Sequence, residues 1–310
     1  KTKHVKRKIG SSSLSHLIGQ VSHPVVNIEL PPMLSFNPHI ILPPSRQGNC
    51  GSCWMFVTLN MLMDRLLIRF KVPRHELSVQ QLLGCWESPC EGGEPEVLLN
   101  WLRTNNIEIL SSKTIPYRQK TSSIVLTPCT DKNSYQHFGV RVVNPIKIIT
   151  TFLPTHEPDP IILRRNIIGM KYEIFNNGPI VAIIDLWPDF LLLRDDQVYN
   201  HITIQGSTPL GGHAIEIVGW CDPGQDPRPS VRNNGYWICK NSWHEDWPLN
   251  STTPGYFAVK LGTNCAGVES RCLCATPVLE NQQKLVARFT RGYTSWTSRE
   301  SSYKRLGFFI

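Results

Sequence analysis

Long apolar runs are missing from this 310-residue chain, and none approaches the roughly 18 to 20 residues that a membrane-spanning helix needs. No signal-type apolar core follows Lys1, so the sequence reads as a soluble chain, either processed or trimmed. Internal repeats and low-complexity tracts are also missing, which sets aside solenoids and compositionally disordered chains. Acidic residues are absent from 1–28, where Lys1, Lys3, Lys6, Arg7 and Lys8 stand unopposed. They are scarce again in 280–310, where Lys284, Arg288, Arg291, Arg299, Lys304 and Arg305 face only Glu280 and Glu300. These two ends carry +5 and +4, which leaves −1 of the formal charge of +8 for a nearly neutral body between them. A neutral body argues against a basic groove for nucleic acid. Basic ends suit an acidic docking partner or surface, and equally suit solvated termini.

Cysteine, by contrast, is plentiful. Ten cysteines, several of them among Gly and Pro, favour a disulfide-bonded protein in an oxidising compartment. If one of them is a catalytic thiol, nine remain and at least one of those is unpaired. The stretch "QGNCGSCW" (Gln47 to Trp54) carries a C-x-x-C spacing with three readings: a dithiol redox pair, half of a zinc site, or a nucleophile beside a structural cysteine.

The surrounding patterns narrow the choice. Repeated prolines in "HPVVNIELPPMLSFNPHIILPPSRQG" forbid a long helix and suggest a strap across a surface. From Cys53, "CWMFVTLNMLMDRLLIRFKV" has no Gly or Pro and stops at Pro73, which predicts a buried helix beginning at Cys53. "LSVQQLLGCW" and "EPEVLLNWLRTNN" predict shorter helices, and 111–144 reads as loop-rich. "IIGMKYEIFNNGPIVAIIDL" predicts a helix, a turn and an apolar strand. "HAIEIVGW", "GYWICKNSW" and "GYFAVKL" then read as strands. Helices in the first half and strands in the second predict an α+β fold of two subdomains, with the cleft between them as the place for a site.

A thiol becomes a strong nucleophile when its thiolate is stabilised, and a helix N-terminus together with an imidazolium can do this. Cys53 has the first feature. Among the ten histidines, His213 stands out: it opens a strand in "GGHAIEIVGW", whose alternation puts His213, Ile215 and Ile217 on one side. Asn241, in "YWICKNSWHEDW", is a polar residue able to orient it, followed by an aromatic able to exclude water.

"QGNCGSCW", "GGHAIEIVGW" and "YWICKNSW…GYFAVK", in this order, resemble the papain-like cysteine proteases, and most nearly the cathepsin B branch. The likeness to that branch comes from "NNGPIVAIIDLWPDFLLLRDDQVYNHITIQGSTPLGGHAIEIVGW" and from "GVES" at 267–270, and the whole resemblance covers about 30–275. It implies Cys53 as nucleophile, His213 as general base and acid, Asn241 as its orienting group and Gln47 as side-chain donor of the oxyanion hole. It also implies Trp243 as the shield over the Asn–His bond and Trp247 as an aromatic on the leaving-group side of the cleft. Gly92 and Gly93 match a pair along which extended substrate backbone lies. Alignment on "GVES" puts Arg271 at the floor of the pocket for the second residue before the scissile bond. The resemblance further implies disulfides Cys50–Cys90 and Cys85–Cys129, leaving Cys221, Cys239, Cys265, Cys272 and Cys274 unassigned. No metal or cofactor is implied.

The implied organisation is a basic extension or proregion remnant at 1–29, a mainly helical subdomain at 30–140, a mainly β subdomain at 141–275 and a basic extension at 276–310. The branch's occluding loop carries adjacent histidines, whereas "IPYRQKTSSIVLTPCTDKNSYQHFG" has none, so an open cleft and endopeptidase action are expected on peptide or protein substrates. Resemblance implies a lysosomal, endosomal or secreted setting; with no signal segment visible, an intracellular or virion-associated enzyme is the alternative. A catalytically silent protein on the same fold, anchored by its basic tails, is the competing functional class. Asn250 begins an N-x-S/T sequon, meaningful if the chain is secreted.

Overall fold

The computed structural model describes residues 29–118, 129, 139–202, 206–229, 231–243, 247–248 and 251–279. The basic ends, nearly all of the segment standing in place of an occluding loop, His244 and the sequon residue Asn250 lie outside these.

With no Gly or Pro between Cys53 and Val72, helix α1 runs unbroken over Cys53–Phe70. Every residue from Cys53 to Leu67 is buried, so α1 is a central element. Lys71 then adopts a left-handed conformation and its N–H closes the last turn on Leu67. Helix α2 (Val79–Leu83) is capped by Ser78, whose hydroxyl accepts the Gln81 N–H, and α3 spans Pro95–Thr104. Helix α4 spans Pro160–Asn177, starting earlier than its pattern suggested. Asp159 accepts the N–H groups of Ile161 and Ile162, and Pro160 brings a φ already suited to the first turn.

The larger sheet centres on β7 (Gly211–Cys221). One edge of β7 pairs antiparallel with β5 (Ile180–Leu186) as far as Ile217, and β1 (Met33–Ser35) takes over that edge from Gly219. The other edge pairs with β8 (Tyr236–Lys240), which pairs with β9 (Tyr256–Lys260). Strand β10 (Cys272–Cys274) continues beyond β5 to β4 (Lys147–Ile148), and β6 (Val198–Tyr199) runs parallel to β9. Gly219 is required where β1 crosses, because a Cβ there would lie 2.1 Å from Leu34 O. The Pro-rich strap thus enters the β half through β1 and reaches back along it, with Arg46 bridging to Trp243.

A smaller sheet joins β2 (Ile109–Leu110), β3 (Gly139–Val142) and β11 (Pro277–Leu279). Pro277–Leu279, beyond the 275 boundary expected from sequence, therefore still belongs to the folded body. Disulfides join Cys50 to Cys90 and Cys85 to Cys129. The cysteines left unassigned by sequence are buried free thiols.

Candidate active site

Cys53 is the first residue of α1, so its N–H is one of the helix-end donors with no intrahelical partner. Its side chain is buried near the start of β7, and the Ala214 N–H is directed at its sulfur. Burial pushes the thiol pKa up; the backbone N–H groups of Ala214, Trp54 and Cys53 itself pull the other way.

His213 is on β7, opposite Ile184 of β5, and only 3% exposed. Its Nε2 lies 2.8 Å from Asn241 Oδ1. The Ser242 N–H also reaches Oδ1, at 2.8 Å, which identifies that atom as the acceptor. Nε2 must then carry the hydrogen, leaving the Nδ1 lone pair free to take a proton. Burial pulls the His213 pKa down to about 4, against the opposing Asn241 bond. Burial thus disfavours each ion taken separately.

Trp243 covers the imidazole, with ring centroids 4.6 Å apart. Gln47 is buried, its amide clamped between Cys50 O (2.8 Å from Nε2) and the Ser242 hydroxyl (2.5 Å from Oε1). The second hydrogen on Nε2 is not needed for the Cys50 bond. Tyr117 donates its hydroxyl to Gln47 O at 2.7 Å. Cys50 is bonded to Cys90 and Cys53 is a free thiol, so the dithiol reading of C-x-x-C does not hold here.

The structure gives other predicted residues different surroundings. Trp247 is 5% exposed, set in an aromatic cluster with Phe190 and Phe257, its indole N–H donating to Phe190 O. Gly92 has φ +105°, a left-handed-side conformation that favours glycine. A Cβ on Gly93 would come within 2.5 Å of the Trp54 indole, so packing requires this glycine independently of any substrate. Arg271 pairs with Asp185 at 2.6 Å, so its charge has a partner within the protein.

Ser242 and Phe190 were not anticipated. Ser242 joins Gln47 to Asn241 across 195 residues of sequence. Phe190, in a 3₁₀ turn over Pro188–Leu192, contacts His213, Trp243 and Trp247 at once. Ser242 was visible in "KNSW", but its partner was not.

The profile of the "Papain family cysteine protease" group matches residues 37–276, a span that contains every residue of this arrangement. The chain belongs to the papain family. Among curated relatives of this papain-family chain, "Cathepsin B-like protease 1" of Arabidopsis thaliana is 27% identical over 256 residues, covering 76% of this chain and 58% of the relative. "Cathepsin B-like cysteine proteinase 1" of Haemonchus contortus is 25% identical, with 72% and 65% covered. The chain thus spans about three fifths of the length of these relatives. In fold it is similar to procathepsin B S9 from Trypanosoma congolense (TM-score 0.62, 22% identity, covering 81% of this chain and 79% of that one). It is also similar to the bromelain protease of Ananas comosus (TM-score 0.59, 20% identity, 80% and 99% covered). The two-subdomain α+β architecture is therefore the papain-like fold.

Proposed function

We propose that this chain is a cysteine-type endopeptidase acting through Cys53, His213 and Asn241. The observation that carries the proposal is the doubly fixed Asn241 Oδ1, which makes Nε2 of His213 the protonated nitrogen and leaves Nδ1 as the base. The Cys53 proton passes to Nδ1 and the sulfur attacks the peptide carbonyl carbon. The oxyanion is met by the Cys53 N–H and the Gln47 amide. His213 returns the proton to the departing amine, leaving a thioester. Water then attacks that thioester with His213 again taking a proton, and the acid product and free thiol are released.

The test is reaction with an epoxysuccinyl thiol-protease inhibitor followed by mass spectrometry. Stoichiometric labelling at Cys53 together with peptide hydrolysis, both abolished in Cys53→Ala, is the expected result. Folded, reduced protein that takes no label would favour the silent scaffold.

Endopeptidase rather than carboxydipeptidase action rests on the missing histidine pair in Ile115–Gly139. Appreciable dipeptide release from substrate C-termini would sink it. We propose that the Arg271 charge, although paired with Asp185, makes neutral or acidic side chains preferred to basic ones two residues before the cleaved bond. A peptide library selecting arginine there would refute this. Two disulfides suit a lysosomal, endosomal or secreted setting. An acidic partner for the basic ends is proposed from charge alone; equal retention of full-length and 30–279 protein on an acidic matrix would dismiss it.

A further inference from the structure

Behind the strands that present His213 and Asn241, three charged side chains are sealed from water. Asp64 and Glu216 are 0% exposed and Lys240 is 1% exposed. Lys240 Nζ sits 2.5 Å from Asp64 Oδ2, 2.9 Å from Glu216 Oε2 and 3.2 Å from Leu42 O. The two carboxylates are not equivalent. Asp64 accepts a hydrogen bond from Lys240 and a second from the Leu42 N–H, at 2.7 Å. Glu216 meets the Lys240 ammonium and the Asp64 carboxyl, and no backbone N–H reaches either of its oxygens.

Two carboxylates around one ammonium leave a surplus negative charge if all three ionise, and an uncompensated buried charge is costly. One proton removes the surplus. Glu216, the carboxylate without a backbone donor, is the place for it. Burial, and secondarily Asp64, push its acidity in that direction, while Lys240 opposes them. The titratable groups facing Glu216 are Asp64 from α1, Lys240 from β8 and the Tyr256 hydroxyl from β9, which lacks a hydrogen-bond partner. Arg74, just past α1, acts on Tyr256 and donates to Ile41 O.

The placement of the cluster gives it significance. Asp64 lies on the nucleophile's own helix, eleven residues beyond Cys53, roughly 16 Å along the axis. Glu216 follows His213 by three residues on β7, and Lys240 both precedes Asn241 and is the cross-strand partner of Glu216. One cluster therefore ties together the three elements that carry Cys53, His213 and Asn241.

We propose that Asp64, Lys240 and a protonated Glu216 form a neutral clamp that positions the nucleophile helix against the histidine and asparagine strands, and that losing the Glu216 proton in alkali loosens it. These are positioning residues, and the effect on catalysis rests on the peptidase reading above. With Glu216 pushed up to about 8 from an unfolded value near 4.5, the folded state binds a proton that the unfolded state has released. Its stabilisation is full below about pH 4.5 and is lost as pH rises through about 8.

The test compares wild type with Glu216→Gln, which keeps the shape of the protonated acid. Between about pH 5 and 8, the wild-type unfolding midpoint should fall relative to that of the variant. The ratio of kcat/KM at about pH 9 to that at about pH 6 should be at least about fivefold higher in the variant. An unchanged alkaline limb together with parallel stability curves would overturn the clamp. If the wild type cleaves no peptide, the peptidase reading fails while the stability comparison still decides the clamp. Should Glu216→Gln not fold, infrared difference spectra of the wild type serve: a buried protonated carboxyl band that disappears near pH 8 supports the assignment, and its absence overturns it.

Discussion

Asn241 does more than accept a hydrogen bond. Because the Ser242 N–H fixes the amide, only one histidine tautomer satisfies the pair, and an alanine at 241 frees the imidazole to rotate and to exchange tautomers. Asn241→Ala should lower kcat by at least about 10²-fold with a small change in KM, as steady-state kinetics on one peptide would show. The same histidine makes stability depend on pH. Its folded value near 4 lies below the ordinary 6.5, so its stabilising contribution is present above about pH 6.5 and lost as pH falls through 4. The loss approaches roughly 3 kcal/mol, since each pKa unit is about 1.4 kcal/mol. Denaturant titrations at pH 7 and pH 4.5 should show a smaller loss in His213→Gln than in wild type. Glu216 works in the opposite direction over part of this range, so the variant comparison, rather than the wild-type curve, isolates each group.

At the scale of elements, the start of α1 is held on several sides. The Cys50–Cys90 disulfide fixes the preceding turn, and the Gly51 N–H donates to Cys90 O at 2.9 Å. Trp54 then lies against Gly93 and edge-on to Trp86. Gly93→Ala should push the Trp54 indole or the glycine loop aside. An overpacking cost of about 1–3 kcal/mol is expected in urea unfolding, with thiol alkylation at Cys53 altered because Trp54 is its neighbour in the first turn. Helical pattern, the Pro73 stop and the absence of Gly and Pro made α1 legible in the sequence. The Gly93 contact was not, because it joins residues that no local periodicity relates. The same distinction holds for the packing of Trp247 against Phe190, which lies 57 residues away in the sequence.

For the whole molecule, α1 is tied to the β half at a second point, away from the active site. Arg65 donates to Glu173 of α4 at 3.0 Å and to the carbonyls of Pro179 and Gly178. Burial alone would raise the Glu173 pKa, but Lys147 and Arg65 outweigh it and hold the carboxyl below its usual range. Arg65→Ala leaves a buried carboxylate with the half-exposed Lys147 and the weak Cys274 thiol donor, and unfolding free energy should fall by about 3 kcal/mol or more, measured in urea at pH 7. A loss below about 0.5 kcal/mol would mean that this ion pair contributes nothing measurable to joining the two halves. Among the described residues, no helix is long and apolar enough to cross a membrane.

What the sequence determined by itself was local in origin. A helix beginning at Cys53, strands over "HAIEIVGW" and "GYWICKNSW", and an α+β division follow from periodicity, breakers and turn residues, which act over a few positions. Motif order supplied the family and the candidate Cys–His–Asn set. Only the tertiary structure decided what those residues experience: burial that raises the thiol pKa and lowers the imidazole's, Ser242 linking Gln47 to Asn241, Asp185 meeting Arg271, and Glu216 left without a backbone donor beside Lys240. Each of these depends on desolvation or on a partner from a distant part of the chain, and neither is encoded in the spacing of neighbouring residues.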